Sequence, residues 1–337
     1  MENIFKSIDG KKYFLVSFFS FLFTIVVGLL IIVHNRNNKD LLITPLPTQY
    51  IVNTDVLQHG NINVSFQTNE DKEWIEDNPQ DFQKEKKEAY EYYELGNKYA
   101  AEKEYKKALE YYDMAIKNNY AVLSDAYYKR GNINYNKGLF DEAISDYNSV
   151  LSYSITLKAV IYNAIANAYF LKKDYANAYD FYKKAIDDDP AYISAWYNLG
   201  NINIILDNHD EALDNFNTAL NQAMSTTFKE KYLANLFYAR GVELYNRQDY
   251  INAIDDFKKT IDLKSEYENA YVDLGNAYIR LKDFEGAITT FNNVLNINPN
   301  NLNALNNRAY AYSSIGENTK ASKDIEQFNS IKKSLGQ

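Results

Sequence analysis

Seven alanines hold one register along this chain: Ala108, Ala143, Ala178, Ala212, Ala253, Ala287 and Ala321. Twelve residues before each stands another small residue, at Gly96, Gly131, Ala166, Gly200, Gly241, Gly275 and Ala309. Composition alone does not place alanine at every one of seven matched positions. Residues 271–299 show what surrounds the pair: two amphipathic helical patterns that meet at a short polar turn around Lys282-Asp283. Leu274 and Tyr278 share a face of the first helix, and Ala287, Phe291 and Val294 share a face of the second. One such hairpin cannot bury both stripes, so copies must stack. The small residues mark where paired helices approach closely, since a larger group there would overpack the crossing by about 1 to 3 kcal/mol.

These features resemble the tetratricopeptide repeat family, whose unit carries an aromatic, Leu-Gly, an aromatic, then Ala, an aromatic and Pro. The fourth copy has Trp196, Leu199-Gly200, Ala212 and Phe216, and the third has Tyr162, Tyr169, Ala178, Tyr182, Ala185 and Pro190. The repeats fall at about 89–122, 124–157, 159–192, 193–226, 234–267, 268–301 and 302–335. Only the step from 193 to 234 departs strongly from the family length. Its extra residues, near 223–231, predict a longer second helix in copy four. The resemblance implies an all-α, right-handed superhelical solenoid of about seven helix-turn-helix units over residues 79–337.

Residues 13–33 carry no charge over a stretch long enough to cross a bilayer, which predicts a single transmembrane helix rather than a cleaved signal peptide. Lys6, Lys11 and Lys12 in the flank 1–12 outnumber Arg36 and Lys39 after the span, so the repeats are expected on the extracytoplasmic side. Ser17, Ser20, Thr24 and Gly28 place small residues on one face of that helix. Such a face can pair two copies into a homodimer, and it is equally tolerated in a lone span. Residues 34–78, with Pro45 and Pro47 and no helical period, read as a flexible spacer. Asn78-Pro79 then reads as a helix start, the first helix being extended toward its N-terminus. The polar last helix, with Lys320, Lys323, Lys332 and Lys333, reads as a solubilising cap.

Net charge is -9 and the pI about 5.0, which argues against nucleic acid as a partner. Cysteine is absent, so disulfides and thiolate metal sites are excluded. His34, His59 and His209 lie far apart in the sequence, and no Gly-rich phosphate loop occurs. No cofactor, metal or catalytic group is indicated, and Asp187-Asp188-Asp189 lacks the ligand spacing of a calcium loop.

The resemblance also implies a concave groove lined by the first helices, with the residues after Leu and after Gly facing into it. Those positions are Tyr93 with Asn97, Tyr128 with Asn132, Asn163 with Asn167, Tyr197 with Asn201, Tyr238, and Asn276. Asparagines there could hold the backbone of an extended partner, and tyrosines would add rigid amphipathic contact area. The same asparagines could instead hold neighbouring repeats together. Family members that grip a C-terminal carboxylate carry Lys and Arg beside such asparagines, whereas here Tyr93, Tyr128 and Asn163 occupy the lysine sites. The reading that follows is a non-enzymatic, membrane-anchored scaffold for a protein or peptide partner. Its alternatives are a non-catalytic helper subunit of an envelope enzyme or secretion complex, and a structural homo-oligomer.

Overall fold

The computed structural model describes residues 79–118, 123–153, 158–225 and 230–334. Among them are fourteen α-helices and no strand. In chain order they are α1 Pro79–Ala101, α2 Tyr105–Asn118, α3 Leu123–Asn136, α4 Phe140–Tyr153, α5 Lys158–Leu171, α6 Tyr175–Asp188 and α7 Ile193–Ile205. There follow α8 His209–Met224, α9 Glu230–Asn246, α10 Tyr250–Leu263, α11 Glu268–Arg280, α12 Phe284–Ile297, α13 Leu302–Ser314 and α14 Asn318–Ser334. The span expected at 13–33, the Ser17, Ser20, Thr24 and Gly28 face, and the spacer 34–78 lie outside the described residues. Among the described residues no helix is long and apolar enough to cross a membrane.

The chain divides into two compact units at Asp273 and Leu274, within α11. In the first unit α1 to α10 pair as five successive hairpins; in the second, α13 pairs with α14 behind α12. Each hairpin closes by the same device. The residue that ends its turn sends its backbone N–H five residues back, as in Asp174 to Tyr169, Asp249 to Leu244 and Asp283 to Tyr278, each at 2.9 Å. The residue before it takes the left-handed conformation, at Lys103, Gly138, Lys173, Asp207, Gln248, Lys282 and Gly316. In three hairpins an aspartate then caps the second helix: Asp174 accepts from the Asn177 amide, Asp249 from Asn252 and Asp283 from Gly286.

In copies one to six the small residue of the first helix is matched by an aromatic ring of the second, sixteen positions on; copy seven has Ile325 there. A Cβ added at Gly200 would lie 2.5 Å from Phe216 Cε1, one at Gly275 2.6 Å from Phe291, and one at Gly96 2.6 Å from Tyr112. The rings Tyr112, Tyr147, Tyr182, Phe216, Phe257 and Phe291 are all fully buried. Six of the seven register alanines have no exposed surface, and Ala321 retains 8%.

The longer interval is distributed differently from the expectation of one extended second helix. Helix α8 has 16 residues and α9 has 17, against 14 for α2, α4, α6, α10 and α12, so the added length is shared across the connection. Helix α14 buries only Ala321 and Asp324, as its polar composition anticipates.

Replacing Gly200 by Ala sets two effects against each other. Alanine favours a helix by about 0.5 to 1 kcal/mol, and the clash with Phe216 costs about 1 to 3 kcal/mol. The expected result is a net loss of about 1 kcal/mol in urea unfolding of the full chain, shrinking when Phe216 is also changed to Leu; a stabilised Gly200→Ala variant would refute the close-packing account.

Candidate partner-binding site

The ten residues expected in the groove differ sharply in exposure. On α1, Tyr93 and Asn97 are half-buried, as is Asn132 on α3. The others, Tyr128, Asn163, Asn167, Tyr197, Asn201, Tyr238 and Asn276, each retain 4% of their surface or less. Adjacent first helices pack over these positions, so the side chains make internal contacts where a solvent-facing rung was expected.

The asparagines after the small residue serve first to satisfy buried hydroxyls. Tyr112 donates to Asn97 Oδ1 at 2.9 Å, Tyr147 to Asn132 Oδ1 at 2.8 Å and Tyr182 to Asn167 Oδ1 at 2.6 Å. In copy five the ring is Phe257, which has no hydroxyl, and Val242 stands where the asparagine would be. A buried phenol without an acceptor costs about 1 to 3 kcal/mol, so the asparagine is needed where the ring is tyrosine; beside Phe216 and Phe291 it is present as well, as Asn201 and Asn276. Burial dominates the acidity of these tyrosines: it pushes Tyr93 and Tyr197 up to about 12, with the contacts to Asn97 and Asn201 opposing.

A second set of asparagines joins one hairpin to the next. Asn198 on α7 donates through Nδ2 to Asn163 Oδ1 and Asn167 Oδ1 on α5, both at 3.1 Å. Within the second unit Asn307 donates to Asn276 Oδ1 at 2.7 Å. Tyr238 extends the pattern, its hydroxyl donating to Asp273 Oδ2 at 2.8 Å. Burial raises the Asp273 carboxyl to about 7, with the Tyr238 hydrogen bond opposing.

Sequence reasoning missed a third set. In copies two, five and seven an arginine replaces the Leu before the small residue. Arg130 grips Asp146 on α4 through Nε and Nη2, and its Nη1 reaches Asp113 on α2 at 2.5 Å. Arg240 repeats this with Asp256, at 2.7 and 2.8 Å, and with Asn217, at 2.8 Å. Arg308 does so with Asp324, at 2.8 and 2.6 Å, and Asn292, at 2.7 Å. Each arginine therefore ties three helices, the second helix of its own hairpin and that of the preceding one. The planar guanidinium can do this and an ammonium cannot. The signal was available as an Arg followed sixteen residues later by an Asp, three times over.

Two outcomes test these assignments. Asn132→Val should destabilise the full chain by about 1 to 3 kcal/mol because Tyr147 loses its acceptor, and adding Tyr147→Phe should restore most of that in a double-mutant cycle; independent effects would separate the pair. Asp273 is protonated more readily folded than unfolded, so the folded state binds the extra proton and its contribution to stability is lost as pH rises from about 4 through about 7. Asp273→Asn should flatten that fall in chemical-denaturation midpoints across this range, whereas an unchanged slope would place the effect elsewhere.

Comparison with known proteins follows the same geometry. Sequence profiles described as TPR repeat match residues 166–204 and 275–316, and profiles described as tetratricopeptide repeat match 87–154 and 193–223. The wheat (Triticum aestivum) Hsp70-Hsp90 organizing protein is 26% identical over 191 residues, which cover 48% of this chain and 33% of that protein. Human (Homo sapiens) tetratricopeptide repeat protein 6 is 30% identical over 198 residues, covering 58% of this chain and 36% of that protein. The chain thus spans about a third of the length of these relatives. The crystal structure of the C-terminal part of a TPR repeat-containing protein from Cytophaga hutchinsonii shares the fold, with a TM-score of 0.58 and 18% identity over 71% of this chain and 95% of that one. Residues 87–154, 166–223 and 275–316 of this chain are thus matched by tetratricopeptide repeat models.

Proposed function

We propose that the chain is a non-catalytic, membrane-anchored scaffold that binds an extended segment of a protein partner. The observation that carries it is the aromatic face left open on α1. Tyr90, 55% exposed, stands one turn before Tyr93, their rings 6.4 Å apart, and Asn97 follows one turn later on the same side. Such a surface combines rigid contact area with polar tips, the composition favoured where proteins meet. Asp125 lies beside Tyr93, and burial raises its carboxyl to about 6. The reading places the partner on this hairpin first, with Asn132 next to it, and draws support from a relative named for organising two other proteins. In it, residues 13–33 hold the repeats at a membrane, on the extracytoplasmic side, and the Ser17, Ser20, Thr24 and Gly28 face allows two copies to pair.

Because Tyr128, Tyr197 and Asn201 are buried, alanine there would unfold rather than test the surface. Photo-crosslinking from a benzoylphenylalanine at Tyr90 in intact cells reports on the face directly. A discrete crosslinked protein is expected, falling at least tenfold when Tyr93 and Asn97 are both changed to Ala; crosslinking that is absent, or indifferent to those changes, would remove the α1 face as the binding surface.

A further inference from the structure

Among the described residues the buried carboxyl groups are those of Asp146, Glu243, Asp256, Asp273 and Asp324. Asp146, Asp256 and Asp324 meet the guanidinium groups of Arg130, Arg240 and Arg308, whose charge a protein does not remove. The other two acids are answered differently. Glu243, with no exposed surface, has its Oε1 3.0 Å from His209 Nδ1, and Asp273, 1% exposed, accepts from the Tyr238 hydroxyl at 2.8 Å. Neither an imidazole nor a phenol holds a permanent charge.

Both contacts converge on one helix, since Tyr238 and Glu243 stand on α9, the first helix of copy five. Glu243 ties α9 back to the start of α8 in copy four, and Tyr238 ties it forward to α11 in copy six. The other His209 nitrogen, Nε2, lies 3.0 Å from Asp207 Oδ1 in the α7–α8 turn. A neutral imidazole has one N–H, so Glu243, His209 and Asp207 must hold two protons between them for both contacts to stand. Remove one, and an acceptor faces an acceptor. At Asp273 the loss of a proton leaves an ionised carboxylate in the interior, answered by a neutral hydroxyl.

The surroundings of each acid are defined. Facing Glu243 are His209 and Asp210 from α8 and Arg247 from just past α9, with Arg247 paired to Asp210. Facing Asp273 are Tyr238 from α9 and Tyr267 from the turn before α11, with Tyr197 on α7 and the Lys264 ammonium beside the Tyr267 ring. Burial raises the Asp273 carboxyl to about 7, Tyr238 opposing, and lifts the Glu243 carboxyl above its ordinary range, His209 opposing. Both shifts are upward, so the stabilisation is complete below the ordinary carboxylate range and is lost as pH rises through the raised values.

We propose that α9 is a proton-dependent latch, which holds copy five to copies four and six while Glu243, His209 and Asp273 keep their protons and releases it when they are lost. The latch stands on contacts away from the α1 face and does not depend on what binds there.

Hydrogen exchange of the full chain separates such a latch from a general loss of stability. Protection of α9 is compared with that of α5 at each pH, which cancels the pH dependence of the exchange chemistry itself. Between about pH 5 and about pH 8 the ratio is expected to fall by about tenfold or more. It should stay level in a Glu243→Gln, Asp273→Asn variant, whose amides stand in for the protonated acids. The unmodified chain decides the matter even if that variant folds poorly: an α9-to-α5 ratio that does not move with pH would overturn the latch. So would a fall shared by every helix, or one that persists in a well-folded double variant, which would place the titrating groups elsewhere.

Discussion

The contact between a near-absent side chain on one helix and a buried ring on the next is the constraint from which the rest of each hairpin follows. With Cβ-to-ring separations of 2.5 to 2.9 Å at five glycines, the backbone itself packs against the aromatic face. That closeness sets how far apart the paired helices run. It also makes the connecting turn tight enough to need one residue in the left-handed region, supplied by glycine only at Gly138 and Gly316. Five non-glycine residues accept that conformation, and the aspartate caps beside three of them, Asp174, Asp249 and Asp283, offset part of the strain.

Once the ring is fixed, its chemistry decides the neighbours. A tyrosine hydroxyl buried at the crossing requires an acceptor, and Asn97, Asn132 and Asn167 provide it; beside a phenylalanine the position is under no such demand, with Asn201 and Asn276 standing by Phe216 and Phe291 and Val242 by Phe257. Arginine in the leucine position acts in the same conditional way. Arg130, Arg240 and Arg308 enter where Asp146, Asp256 and Asp324 already stand on the second helix, each of them nearly buried. A buried carboxylate without its guanidinium would be worse than an apolar pair, so these residues belong to the packing even though they are charged.

The repeat register, the hairpin pattern and the positions of most helices were legible in the sequence because they depend on local period and on residue size at single positions. The roles of the asparagines were not. Asn97 and Asn167 look alike in the sequence, yet one is half-exposed on α1 and the other is enclosed between α5, α6 and α7. What separates them is whether another first helix packs over the position, which is a fact of tertiary stacking and not of spacing. The reading of every Tyr and Asn as a surface rung failed for that reason. The Arg–Asp clamps were legible in principle, since the sixteen-residue spacing is the same one that joins each glycine to its ring.

Glu243 shows how the stack holds a wholly buried acid. Some buried polar groups are answered within their own hairpin, as Tyr147 is by Asn132, and others from the next copy, as Asn163 is by Asn198. Glu243, near the end of α9, is answered from the preceding copy, where His209 at the start of α8 lies 3.0 Å from one of its oxygens. Burial raises the Glu243 carboxyl above its ordinary range, with His209 and Arg247 opposing, so the fold answers the buried acid from its own residues and by favouring the neutral form.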